Sequence, residues 1–398
     1  MTEASEGRGS RPRVLLVAEA ANPEWVSVPL VGWSLARALG AQADVHLVTQ
    51  VRNADAVRAA GWPGDALTVI DSERVARLAW RLSEALRGGA NRGWTTKAAI
   101  QALAYPYFEH RVWRELGARV RAGAFDLVHR VTPLSPTVPS LLARRAPATG
   151  VPFVLGPLNG GVPWPEDFAG ARRREREWLA PLRGAYRALP GVASTRARAA
   201  AILVGSRDTL AELPGSCRTR CVYIPENAVD LTRFAPPEAP PDPAGPLRLA
   251  FLGRLVPYKG ADMLIDAAEP LLREGRATLD VLGDGPELPA LQAAVAARGL
   301  GNRVRLPGWV PHAEVARALG RAEVLAFPSI REFGGGAVLE AMALGLVPVV
   351  VDYGGPGELV NDDCGVHIPL GPRAHIVAEL RAALERLAGP ERARLPAR

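Results

Sequence analysis

Two carboxylates and two cations stand at spacings that suit a ligand with an anionic middle and hydroxylated ends. Glu332 and Glu340 lie in "REFGGGAVLEAMALG", separated by seven residues that include Gly334, Gly335 and Gly336. Arg254 and Lys259 share the stretch "GRLVPYKG". Arginine offers phosphate oxygens a planar fork, and lysine a compact point charge. Lysine occurs only at Lys97 and Lys259, while arginine supplies every other cation. Its retention beside Arg254 therefore points to a need for that side chain; Lys97 has no such company and reads as a surface charge. A carboxylate accepts hydrogen bonds from hydroxyls but repels phosphate, so the glutamates suit sugar hydroxyls on one side and ribose hydroxyls on the other. Glycine costs conformational entropy, and three in a row at the mouth of a helix need a reason. A helix beginning near Gly336 aims its amides and positive dipole end at the strand tips. Glycine lets backbone approach closely there, which is the chemistry of a diphosphate site.

These residues need strands that end together. "LRLAFLG", "ATLDVLG", "RVRLPG", "EVLAFPS" and "VPVVVD" are short apolar runs of the kind buried parallel strands need, and helical stretches separate them. Arg254 and Lys259 follow the first. Gly283 and Gly285 follow the second, in "LGDGPE". Gly308, Trp309 and Val310 form a turn after the third, and Ser329 and Glu332 follow the fourth. In open sheets of this kind ligands sit at the carboxyl ends of the strands. The first half shows the same alternation, with "RVLLVAEA", "DVHLVTQ", "ALTVID", "DLVHRV", "PFVLGP" and "AAILVGS" as strands and a helix over residues 30–40 that stops at Gly40. Residues 235–246, "APPEAPPDPAGP", hold neither helix nor central strand and read as a linker. The expected architecture is α/β: two Rossmann-like, doubly wound domains facing each other across a cleft. The expected boundaries are 1–234 for the first domain, 235–246 for the linker and 247–398 for the second.

Composition excludes several classes. With 48% hydrophobic and 22% charged residues among 398, the chain has apolar material for two cores. No run approaches the roughly 20 apolar residues of a membrane helix, and the N-terminus reads as a polar tail entering a first strand, with no signal peptide. A cytoplasmic location is the expectation. Cys217, Cys221 and Cys364 lack the spacing of a zinc site and read as reduced thiols. The formal charge of +7 and pI near 9.8 invite a polyanion. The densest basic run, residues 171–189, is interleaved with glutamate and has helical spacing: a solvated helix face, or a foothold on anionic lipid at the inner membrane face. No aromatic-basic platform for nucleic acid accompanies it.

The ordered pieces "GRLVPYKG", "LGDGPE", "LPGWV", "FPSIREFGGGAVLEAMALGLVPVVV" and "GGPGELV" resemble family 4 of the retaining glycosyltransferases, the glycosyl transferases group 1, which adopt the GT-B fold. "FDLVHRVTPLS" and "VPFVLGPLNGG" are similar, more loosely, to that family's acceptor-domain strands. "YIPENAVDLTRF" is similar to its interdomain segment, with Ala228 where glycine is common. The resemblance implies transfer of a sugar from a nucleoside diphosphate sugar to an acceptor hydroxyl with retained anomeric configuration. It implies that Arg254 and Lys259 neutralise the leaving diphosphate, that Glu332 contacts the donor sugar and that Glu340 holds the ribose. Gly253, Gly283, Gly285, Gly334, Gly335 and Gly336 would line the donor site, and the turn Gly308–Trp309–Val310 the base. His129 matches a first-domain histidine that contacts the sugar; read alone, a histidine at a strand end is as well a packing or capping residue. No cofactor is implied beyond the co-substrate, and no metal: an Asp-x-Asp triplet is absent, and the two cations can replace a divalent ion. In the first loop, "ANPEWVSVPLVGW", Gly32 is the only glycine, and amides near Val26–Val28 would meet the donor. Relatives close with a helix that crosses back onto the first domain, which is expected here to be short or missing.

The acceptor stays open between a glycan or lipid-linked sugar in surface polysaccharide assembly and a small natural product. Trp25, Trp33, Trp94 and Trp164 are candidates to stack on sugars. Two other readings fit the same residues: a nucleotide-sugar binding protein without turnover, and a sugar-nucleotide epimerase using Glu166 and Asp167.

Overall fold

The apolar runs become two separate, wholly parallel sheets in the computed structural model, which describes residues 11–25, 27–75, 77–78, 94–174, 190–236, 245–389 and 391–392. The first sheet contains β1 (Arg13–Ala18), β2 (Asp44–Gln50), β3 (Leu67–Ile70), β4 (Leu127–Thr132), β5 (Phe153–Leu158), β6 (Ala201–Val204) and β7 (Cys221–Tyr223), in the order β3-β2-β1-β4-β5-β6-β7. Side chains of a strand point alternately to its two faces. In β1, Leu15 and Val17 accordingly join one apolar core, while Val14, Leu16 and Ala18 join another. Helix α1 (Val28–Gln42) closes the second of these through Trp33 and Ala36. Helix α2 (Trp94–Arg121) closes the first with Tyr105, Phe108, Val112, Leu116 and Val120, a stripe at helical spacing. Gly40 does not stop α1; the helix runs two residues further, to Gln42, and ends at Ala43, whose backbone is extended.

The second sheet contains β8 (Leu247–Leu252), β9 (Ala277–Leu282), β10 (Val304–Gly308), β11 (Val324–Phe327), β12 (Val347–Val351) and β13 (Val366–Ile368), in the order β10-β9-β8-β11-β12-β13. Helix α3 (Ala261–Arg273) lays Leu264, Ala268 and Leu271 into the core under it. Helices α4 (His312–Leu319), α5 (Gly336–Ala343), α6 (Gly354–Leu359) and α7 (Arg373–Leu387) complete the unit as far as this site needs them. Arg373 ties α7 to α3 through Asp262 and Asp266, at 2.8 and 2.6 Å.

The expected fold class holds in each unit: a doubly wound parallel α/β sheet. The strands β7 and β13 are additions that the sequence reading did not find; each is three residues long and sits at a sheet edge. The division of the chain also differs from the expected one. One compact unit comprises Met1–Gly160 and Glu177–Glu226, the other Gly161–Arg176 and Asn227–Arg398. Residues 161–174 and 227–234, expected in the first domain, thus pack with the second. Residues 237–244 of the expected linker and 175–189 of the arginine-rich run lie outside the described residues. Among the described residues no helix is long and apolar enough to cross a membrane.

Candidate functional site

Sheet order changes direction between β8 and β11, and this is where an open parallel sheet leaves a crevice beyond its strand ends. The loops that leave these two strands are sewn together: the Ile330 amide donates to the Tyr258 carbonyl at 2.9 Å, and the Ser329 hydroxyl to the same oxygen at 3.2 Å. Lys259, the next residue after Tyr258, and Glu332, two residues after Ile330, are in direct contact as an ion pair. The Lys259 ammonium also lies 5.1 Å from the centre of the Phe327 ring, a cation–π distance. Burial, and then the positive Arg254, push the Lys259 ammonium down to about 7. The touching Glu332 carboxylate favours the charged form and opposes that shift. The structure therefore brings Lys259 and Glu332 into contact, with Arg254 near enough to act on the Lys259 charge.

The loop carrying Glu332 is pinned from beneath, where the Gly355 amide donates to the Glu332 carbonyl at 3.0 Å. It then turns into α5 through Gly335, whose φ of 59° and ψ of 31° are left-handed. A side chain there would be strained in its backbone and would fall 2.8 Å from Leu359. Helix α5 begins at Gly336, as expected, and Glu340 lies one turn inside it. Its Oε1 is 2.9 Å from Nε2 of His312, the first residue of α4. On the other side of that ring, Arg233 Nη2 lies 3.1 Å from Nδ1 and 3.3 Å from the His312 carbonyl. A guanidinium only donates, so Nδ1 accepts and Nε2 carries the hydrogen given to Glu340.

Other expected donor residues take different duties. The room that Gly283 and Gly285 are expected to make for a ligand is occupied by backbone. A Cβ on Gly283 would stand 1.9 Å from the Gly253 carbonyl oxygen, and one on Gly285 2.3 Å from that of Leu255. The amides are engaged as well: Gly253 donates to Leu282 and Gly283 to Gly308, each at 3.0 Å, and Gly285 to the Asp284 side chain at 2.6 Å. These glycines allow two loops to lie against each other. Gly308 closes β10, Trp309 beyond it is 63% exposed, and Val310 packs against the core.

A segment that the sequence reading treated separately completes the floor of this unit. Arg331 donates from Nε to the Val162 carbonyl at 2.9 Å and lies 5.0 Å from the Trp164 ring and 5.9 Å from that of Tyr258. Trp164 meets Tyr258 edge-on at 5.7 Å, and the Tyr353 hydroxyl donates to the Pro163 carbonyl at 3.1 Å. Trp164 is thus a structural partner of the loop bearing Lys259. Of the other candidate tryptophans, Trp33 is buried edge-on against Trp62, Trp25 is 45% exposed, and the side chain of Trp94 lies outside the described residues. Glu166 and Asp167 are exposed.

In the first unit, His129 is not at a strand end. It is the third residue of β4, buried, with Nε2 2.7 Å from the Gly156 carbonyl oxygen. Burial pushes its pKa down to about 4, against that hydrogen bond. The ring is neutral and donates to Gly156. The first loop is built on Thr132, whose hydroxyl accepts from the Ala20 amide at 2.9 Å and lies 3.2 Å from its carbonyl. Val26 lies outside the described residues, and Ser27, at φ 66°, takes a backbone conformation uncommon outside glycine. A carboxyl that the sequence reading passed over, Glu226, accepts from Asn159 Nδ2 at 3.0 and 3.1 Å; burial pushes it up to about 8 against that bond. His312 was not singled out by the sequence either, although histidine occurs only six times in the chain.

Residues 237–395 match the family model described as glycosyl transferases group 1. The 2-deoxystreptamine glucosyltransferase of Streptomyces kanamyceticus is 31% identical over 232 residues, covering 52% of this chain and 58% of that protein. The putative colanic acid biosynthesis glycosyltransferase WcaL of Escherichia coli is 31% identical over 178 residues, 43% of this chain and 44% of the relative. The chain thus spans about half the length of these curated relatives. Among solved structures, a glycosyltransferase from Rickettsia africae superposes with a TM-score of 0.61 at 14% identity, over 97% of this chain and 91% of the other. HepE of Anabaena, solved with UDP and glucose, gives 0.56 at 17% identity, over 94% and 90%. At these identities the structures establish the GT-B fold class alone.

Proposed function

Because residues 237–395 match the family model described as glycosyl transferases group 1, we propose that the chain is a glycosyltransferase that moves a sugar from a nucleoside diphosphate sugar to an acceptor hydroxyl, with retention of configuration and without a metal ion. The observation that carries this reading is the Lys259–Glu332 pair with Arg254 beside it, set at the carboxyl ends of β8 and β11. A diphosphate arriving there meets two cations, and it restores to Lys259 the charge that burial weakens. Glu332, paired with Lys259, is placed to exchange that contact for a donor sugar hydroxyl. Glu340, one turn into the helix that follows the Glu332 loop, takes the ribose hydroxyls. As the glycosidic bond breaks, negative charge collects on the diphosphate, and its stabilisation by Lys259 and Arg254 is the main catalytic contribution. The cations fill the place a divalent ion takes elsewhere, and the departing phosphate serves as base for the incoming hydroxyl. No step is assigned to His129, which is neutral and committed to Gly156.

The acceptor hydroxyl belongs, in this reading, to a growing surface polysaccharide or glycoconjugate, as the similarity to the colanic acid enzyme suggests. Peripheral docking at the inner membrane face goes with it. The similarity to 2-deoxystreptamine glycosyltransferases favours a second acceptor class, a small aminocyclitol-type natural product. The test is release of nucleoside diphosphate from UDP-, GDP- and ADP-sugars, with acceptors of both classes and with excess EDTA, and with NMR assignment of the product anomer. Release that needs an added divalent ion, an inverted product, or no release from any donor overturns the corresponding part of the proposal.

A further inference from the structure

Glu340 does not reach its position unaided. Resting on the donor-site reading above, we propose that His312 is a positioning residue: it orients the Glu340 carboxylate for the ribose hydroxyls, and Arg233 fixes the tautomer in which it does so. The geometry forms a chain of three groups within one unit. Arg233 Nη2 holds the His312 ring at Nδ1 (3.1 Å) and its carbonyl (3.3 Å), and Nε2 meets Glu340 Oε1 at 2.9 Å. The Phe234 ring, its centre 5.8 Å from that of His312, supports the imidazole from the same segment. Arginine cannot accept, so the ring hydrogen has one place to go, Nε2, and one acceptor there. With Oε1 engaged in this way the carboxylate is oriented, and among the described residues no hydrogen bond takes Oε2, which is left for a ligand. A neutral imidazole does this without cancelling the negative charge that makes Glu340 a strong acceptor for hydroxyls. An eight-residue helix carrying a glutamate with three free torsions lacks such precision by itself.

The experiment is isothermal titration of the full chain with UDP, GDP and ADP, followed by the tightest of these and its 2′,3′-dideoxy counterpart on each variant. H312A is expected to weaken the ribonucleotide by about tenfold, the scale of one charge-assisted hydrogen bond, and to leave the dideoxy affinity unchanged. H312Q places an amide donor near the Nε2 position and is expected to recover most of the loss; H312N, which mimics only Nδ1, is not. That contrast remains readable if H312A melts early. Equal weakening of both nucleotides marks a general structural role and overturns the proposal, as does an unchanged ribonucleotide affinity in H312A or equal affinities in H312Q and H312N. Failure of all three diphosphates to bind wild type overturns the donor-site reading itself.

Discussion

Replacing Lys259 probes the charge balance on which the proposed reaction depends. Lys259 touches Glu332, lies 5.1 Å from the centre of the Phe327 ring and has its pKa pushed down to about 7 by burial and Arg254. In the free enzyme the ammonium therefore loses its proton as pH rises through about 7, and a diphosphate arriving above that pH must first recover it. kcat/KM reports the free enzyme and kcat the complex. In wild type kcat/KM should fall on the alkaline side by up to about tenfold per pH unit, while kcat stays flat further, because bound diphosphate holds the proton in place. Lys259→Met removes one cation from the leaving group, and loss of a single such stabilising group costs about 2.7–4 kcal/mol, or roughly a hundred- to a thousandfold in kcat. Lys259→Arg keeps a charge that does not titrate, so its lower rate should carry no alkaline limb. Stability runs the opposite way. Between about 7 and the ordinary lysine value of 10.5 the unfolded chain binds a proton that the folded one does not, so resistance to unfolding rises with pH across that window, and Lys259→Met abolishes the rise. The assay is coupled detection of released nucleoside diphosphate across pH, with thermal melts alongside. A methionine variant with near wild-type turnover, or a wild-type alkaline limb that survives in the arginine variant, would refute the reasoning.

Three further outcomes test other parts of the structure. Glu226 sits at about 8 against an ordinary carboxyl value of 4.5, so the folded chain holds a proton that the unfolded chain releases; stability should fall as pH rises through that window, and Glu226→Gln should flatten the fall in pH-dependent melts. Gly283→Ala places a Cβ 1.9 Å from the Gly253 carbonyl oxygen at a φ of 146°, and chemical denaturation should show a loss of about 1–3 kcal/mol or more, a melting point unchanged from wild type being the contrary result. His129→Ala leaves the buried Gly156 carbonyl without its donor and should cost about 1–3 kcal/mol of unfolding free energy, while turnover per folded molecule persists; a loss of kcat at unchanged stability restores His129 to the chemistry.

Much of this was legible in the sequence, for reasons that particular residues make clear. Strands buried on both faces write themselves as apolar runs, so β1, β4, β8, β9, β11 and β12 were plain. The edge strands β7 and β13 are three residues long, with side chains partly in water, and carry too little pattern to be seen. Arg254, Lys259 and Glu332 stood out because charge at the ends of parallel strands has few structural uses. The duty of Gly283 and Gly285 did not, because a glycine needed for backbone against backbone and one needed for a ligand are the same letter. His129 and His312 show the same limit from both sides. A histidine within an apolar strand read as a chemical group and is a buried prop for Gly156, while one opening a surface helix read as nothing and meets Glu340.

The excursion of residues 161–174 into the second unit bears on how this protein can be recombined. Val162, Trp164 and Phe168 belong by packing to the half that carries Lys259 and Glu332, yet they are encoded some way ahead of it, within the first half. A chimera spliced at the proline-rich stretch would inherit one parent's Arg331 and Tyr258 and the other parent's Val162 and Trp164. Parents that differ at those four positions would yield a hybrid whose cation loop has lost its backing, however well the splice itself is tolerated. The transferable unit that keeps this loop intact therefore consists of two separate pieces of gene.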